Sequence, residues 1–217
     1  MPRPSLAAAA LLLLGTPVVA RAQDKDAICR NVQNRPLRVG QWATYGWTGG
    51  RTDGATIRIA VVGSEAYDGT TYYWYEVSMN DPGRGAKGKT VFQMLVPGLG
   101  YQAGSVRALI MKSGDDPAVR MPDAMVRMVG SRVGANVAAE VAQACQRMEV
   151  VGWEQVTVPA GTFKALHLRD ANEPTEAWLR PELDFAMVKV VMKDGSTMSL
   201  TGSGGGAKSS IAEQPLR

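Results

Sequence analysis

Apolar and polar residues alternate with a period of two along most of the chain, the pattern of strands with one buried face. In residues 55–62, Ile57, Ile59 and Val61 fall on one face and Thr56 and Arg58 on the other. Residues 70–79 set Tyr73, Tyr75, Val77 and Met79 against Tyr72, Trp74, Glu76 and Ser78, and the preceding Asp68-Gly69 is a hairpin turn signal. Residues 41–47, 89–96 and 106–112 complete a first group of strands, with Pro97-Gly98 closing the second of these. A second group covers residues 148–158, 162–169, 175–179, 186–193 and 196–201. Its first two strands are joined by Pro159-Ala160-Gly161, where proline fixes φ and glycine admits φ > 0, and its last two by Asp194-Gly195. Short connections of this kind predict an antiparallel meander.

Between the two groups, from Pro117 onward, the period changes. Met121, Met125, Met128 and Val129 recur at spacings of three and four, with Pro122 suited to a first turn and Gly130 to a stop. Asn136 is a good N-cap for a second helix with Val137, Val141, Ala144, Cys145 and Met148 on one side. The expected fold is therefore mainly β with a helical insertion, an α+β arrangement. After Gly202 the composition turns to glycine, serine and alanine, so residues 203–217 are expected to be a disordered tail.

Residues 1–22 have a positive start at Arg3, an apolar run at 6–14 and an Ala20-Arg21-Ala22 cleavage pattern, which reads as a secretory signal peptide. The apolar run is far short of the roughly 20 residues needed to cross a bilayer. Cys29 lies well past that run, which disfavours a lipid-modified N-terminus. The chain that follows, residues 23–202, is sized for one domain. Loss of residues 1–22 takes away Arg3 and Arg21 and halves the formal charge of +4, and the other basic residues are scattered, so a nucleic-acid partner is not expected. In an oxidising compartment, periplasmic or secreted, Cys29 and Cys145 are expected to pair, closing a long loop at a gain of roughly 4–5 kcal/mol.

Candidate chemistry is sparse. Gly83 to Thr90, GRGAKGKT, matches the phosphate-binding pattern G-x-x-x-x-G-K-[ST], but that mechanism needs a helix N-terminus after the loop, whereas 91–96 reads as a strand. The loop is expected to be a basic hairpin connection, with no nucleotide bound. His167, the single histidine, falls on one face with Phe163 and Ala165 and reads as an imidazole at the edge of the core. Asp115-Asp116-Pro117 lacks the further oxygen ligands of a calcium loop. No nucleophile elbow and no ligand cluster is evident, so neither catalysis nor a metal or other cofactor is expected.

The segment V-x-V-P-A-G-T-F, then Glu176-Ala177-Trp178, Val188-Lys189-Val190 and Asp194-Gly195, resembles exported bacterial proteins similar to the lipoprotein-carrier-like superfamily of the cell envelope. The resemblance spans roughly residues 148–201 and the earlier strands by pattern only. It implies a strongly curved antiparallel sheet, or half-open barrel, whose concave face is covered by helices around an apolar cavity. Candidate lining residues are then Trp42, Trp74, Met94 and Trp178, facing Met121, Met125 and Met128. Methionine suits an irregular apolar groove, though it fills an ordinary core equally well. The expected function is a periplasmic, non-enzymatic protein binding a lipid, acyl chain or other apolar ligand. The alternative is a structural or protein-interaction domain of the envelope with a filled core, no ligand, and a cell-envelope protein as partner.

Overall fold

The computed structural model describes residues 35–98, 105–128 and 147–216, together with Ala27. The alternating segments become strands β1 (Trp42–Thr48), β2 (Thr56–Tyr67), β3 (Thr70–Asn80), β4 (Lys89–Val96), β5 (Ala108–Ser113) and β6 (Val119–Arg120). The second group gives β7 (Met148–Val158), β8 (Gly161–Asp170), β9 (Glu176–Leu179), β10 (Met187–Val191) and β11 (Thr197–Gly204). All belong to one sheet in the order β6-β5-β4-β3-β2-β1-β11-β10-β9-β8-β7. Each group is thus a meander, and the last strand returns to lie beside the first, so the β1–β11 pair joins the two halves.

The turns follow their sequence signals. Asp68 and Gly69 both take positive φ, +48° and +74°, the backbone needed for a two-residue turn whose twist matches its strands. The Pro159-Ala160 turn joins β7 to β8, with Gly161 at φ +132° opposite Val158. The Ala160 N–H also donates to the Leu200 carbonyl at 3.1 Å. In a flat sheet β8 would sit three strand spacings, about 14 Å, from β11. That hydrogen bond requires the sheet to coil at this end. The sheet nevertheless remains open, with β6 and β7 as its edges among the described residues.

Three expectations are corrected. Residues 119–120, expected in the helical insertion, pair as β6 with Ile110 and Met111, because β5 offers an unpaired edge that a strand satisfies. The helical backbone of this segment covers residues 123–128. The longest α-helical run among the described residues is this short one, so a sheet covered by helices is not what the described residues display. The second expected helix, from Asn136, falls outside the described residues apart from its end, where Met148 already opens β7. Finally, the tail expected to be disordered has a defined path. Ser203 and Gly204 belong to β11, opposite Ala43 and Trp42, and the segment beyond crosses back over β2 to β6.

Packing is set by strand register. Across β1–β6, Trp42, Ala60, Glu76, Gln93, Ile110 and Arg120 are successive partners and form one row, which defines the Glu76 face. Val61, Tyr75, Met94 and Leu109 form a row on the opposite, Tyr75 face. Leu37, Val61, Val106, Leu109 and Val126 are buried together there, with Tyr75, Met94 and Met121 packed against them. The largest core cluster joins the two halves through Ala43, Tyr45, Val158, Trp178, Val188 and Leu200. Tyr45 is fully buried and its hydroxyl donates towards the Phe185 and Met187 carbonyls at 3.0 and 3.3 Å. Burial pushes its phenol well above the ordinary value.

Candidate functional site

The residues expected to line a groove do not converge. Trp42 and Trp74 stand on the Glu76 face, since Trp42 opposes Ala60 and Trp74 is two residues from Glu76 on β3. Met94 and Met121 pack together on the Tyr75 face. Trp178 is buried in the cluster that joins the halves. Met125 and Met128, on the helical run, are 43% and 49% exposed. The Trp42 indole donates to the Gly205 carbonyl at 3.1 Å and lies flat enough on Gly202 and Gly204 that an added Cβ there would meet its ring at 3.4 Å. The Trp74 indole donates to Glu65 at 2.8 Å, and its ring packs against Leu95, Ala108 and Ile110. Cys29 and Cys145 lie outside the described residues.

The Glu76 face instead holds a built site that sequence reading missed. Glu76 is fully buried. Its Oε2 accepts from Gln93 Nε2 at 2.8 Å and from the Ser210 N–H at 2.9 Å, with the Ser209 hydroxyl at 3.4 Å. Its Oε1 accepts from the Ser210 hydroxyl at 2.6 Å, with Ser78 Oγ at 3.3 Å and Arg58 Nη1 at 3.4 Å. A buried carboxylate needs its charge answered and its lone pairs filled, and this one is satisfied on two sides. Ser78 shares β3 with Glu76 and Arg58 and Gln93 come from the neighbouring strands, whereas Ser209 and Ser210 come from the chain's C-terminal segment.

The rest of that segment continues the contact. The Ala207 N–H donates to the Gly40 carbonyl at 2.8 Å. Ile211 is buried with Ile110 and Ala118. Glu213 accepts from the Ala118 N–H at 3.2 Å and from Lys112. Those donors, Lys112 first, hold its carboxyl below the usual range. Leu216 then exchanges backbone hydrogen bonds with Ala118 and Arg120, both 2.8 Å, so the segment ends alongside β6. Beside it a recess of about 250 Å³ stays open between Val62, Trp74, Ile110, Ile211 and Pro215.

A second polar cluster surrounds His167, which is 6% exposed and stacked on Trp178 at 4.3 Å between ring centres. Its Nε2 lies 3.1 Å from Glu176 Oε2. Its Nδ1 is 3.3 Å from Glu154 Oε1 but is poorly aligned and makes no hydrogen bond there. Glu154 instead accepts from the Trp178 indole at 2.5 Å, and Lys189 sits 4.8 Å above the Trp178 ring. Burial pushes the Glu176 carboxyl upward, yet hydrogen bonds from Arg169 and His167 outweigh it and leave the value below the ordinary one. This is the core-edge imidazole that the face pattern suggests, tied to the sheet by its neighbours. Among the described residues, the contacts of the ring are with Glu154, Glu176 and Trp178, none of which is a hydroxyl or thiol nucleophile.

The phosphate-pattern loop leads into a strand. Residues 82–88 form a kinked 3₁₀ segment and Lys89 opens β4, so no helix N-terminus faces the loop. Gly88 is required by closeness alone, because a Cβ there would sit 1.9 Å from the Asp81 carbonyl oxygen. Asp115 and Asp116 lie in the turn between β5 and β6. Among the described residues no group of three or more His, Cys, Asp or Glu is placed to hold a metal ion.

No protein-family model matches the chain. No curated protein matches it either. Among solved structures it is similar to a candidate exported protein with a YmcC-like fold from Bacteroides fragilis, at 15% identity and a TM-score of 0.37, over 78% of this chain and 97% of that one. A candidate lipoprotein from Parabacteroides distasonis matches at 11% identity and a TM-score of 0.35 over the same shares. MucB matches at 12% identity and a TM-score of 0.45, over 88% of this chain and 61% of that one. No function is carried over from them.

Proposed function

We propose that this chain is an exported, non-enzymatic cell-envelope protein that works as a structural or protein-interaction domain with a filled core. Export rests on the signal-peptide pattern of residues 1–22. The observation that carries the rest is the division of the expected lining. Trp42 and Trp74 lie on one face, Met94 and Met121 on the other, and Trp178 inside the core, each packed by the chain's own groups. A lining divided in this way offers faces and edges to partners rather than one shared cavity to a ligand.

A second reading, an apolar ligand held against the Tyr75 face, is favoured by one observation. Met125 and Met128 present apolar side chains to solvent next to the cluster that contains Met94 and Met121. Titration with a fluorescent fatty acid separates the two. The interaction-domain reading expects no saturable binding and no change between the parent protein and Met125→Ala. Saturable binding that Met125→Ala weakens would establish the ligand reading instead.

A further inference from the structure

We infer that the strip of the Glu76 face beneath the C-terminal segment is a recognition groove for an extended peptide, occupied at rest by the chain's own residues 207–216. The inference rests on the interaction-domain reading and names the chemistry of the partner: a segment with two adjacent hydroxyl residues followed by a branched aliphatic one.

The contacts have the form of a linear motif read by a surface. Ser209 and Ser210 bring donors to Glu76, Ile211 enters an apolar site against Ile110 and Ala118, and Glu213 meets Lys112 and the Ala118 N–H. Leu216 adds backbone pairing beside β6, as an added strand does. Glu76 is the element that makes this selective. A buried charge adds little net stability over a well-packed apolar residue, but without its donors it is strongly unfavourable, so it rejects any segment lacking hydroxyl and N–H groups at that place.

The occupant is tethered through Gly204, Gly205 and Gly206, where the Trp42 indole holds the Gly205 carbonyl and the Ala207 N–H holds the Gly40 carbonyl, so exchange begins beyond this anchor, at Ser209. Beside the buried Ile211 lies a recess of about 250 Å³, open to solvent and bounded by Trp74 and Val62. A partner segment with a larger apolar residue at the Ile211 position fills that space and gains over the resident one.

The test is a titration of the full chain with a fluorescently labelled peptide of the sequence of residues 207–217. Binding to the parent is weak because the tethered segment competes at high effective concentration. In the chain carrying Ser209→Ala and Ser210→Ala the resident segment is loosened, and the peptide should bind at least about tenfold more tightly. A peptide with both serines replaced by alanine and the isoleucine by aspartate should not bind. If the doubly substituted chain does not fold, Glu213→Ala supplies the loosened chain, because it removes the resident contact and leaves Lys112 free for the peptide. Equal binding to parent and loosened chain, no binding to either, or equal binding of the altered peptide overturns the groove. A fatty-acid probe carried through the same titration keeps the readings apart: saturable uptake of that probe overturns the interaction-domain reading itself.

Discussion

Glu76 shows how much one residue can organise at a distance. It is a charge removed from water, with donors arriving from strands on either side and from Ser209 and Ser210 at the far end of the chain. Removing one donor leaves part of a buried carboxylate unsatisfied, an effect of about 1–3 kcal/mol. Ser210→Ala should therefore lower stability by that amount in urea unfolding, although the residue lies in a Gly- and Ser-rich segment where surface substitutions ordinarily stay within about ±0.5 kcal/mol. Met125→Ala tests the opposite case. A methionine in a filled core costs roughly 2–5 kcal/mol when truncated, but Met125 is 43% exposed, so a loss under about 1 kcal/mol is expected by thermal unfolding. Lys89→Ala should likewise stay within about ±0.5 kcal/mol, and a nucleotide titration should be flat, since Lys89 is an exposed residue opening a strand rather than part of a phosphate cradle.

At the scale of elements, the C-terminal segment carries a pH-dependent contact at Glu213. The Lys112 hydrogen bond, the backbone and the Ala118 N–H lower the Glu213 carboxyl from its ordinary value of 4.5. A carboxylate whose value is lowered by folding contributes stability that is present above the unfolded value and lost as pH falls through the folded one. Amide protection of residues 205–216, taken relative to the intrinsic rate at each pH, should accordingly fall on acidification below about pH 4.5. Asp170, the last residue of β8, is held low by the Asn172 N–H first and by Arg147, and loses its contribution in the same acid range. Unchanged protection of the segment down to about pH 3 would remove Glu213 from its hold. The same element marks the limit of what the sequence makes legible. The strands are legible because period-two alternation and Asp68-Gly69, Pro159-Ala160-Gly161 and Asp194-Gly195 are local signals. β6 is not, because Val119 and Arg120 are a strand only by pairing with β5. Nor is the C-terminal segment, because glycine, serine and alanine carry no apolar period and its order depends on a carboxylate far earlier in the chain. The division of the candidate lining is half legible. Trp74 and Glu76 share a face by parity alone, but that Met94 lies on the other face follows from the Trp74–Leu95 register, which the length of the intervening turn decides.

For the whole molecule, two meanders meet at the β1–β11 pair, so the first and last strands lie in the middle of the sheet while its edges come from β6 and β7. The core that joins the halves, around Tyr45, Trp178, Val188 and Leu200, cannot be assembled until β11 has docked beside β1. The central claim is that this molecule is filled by its own side chains and by its C-terminal segment, and carries no apolar cargo. Native mass spectrometry of protein taken from the envelope, before and after organic extraction, tests it most directly. The account expects one mass, that of the processed polypeptide, unchanged by extraction. A mass that falls on extraction, with an acyl lipid recovered in the organic phase, would contradict it.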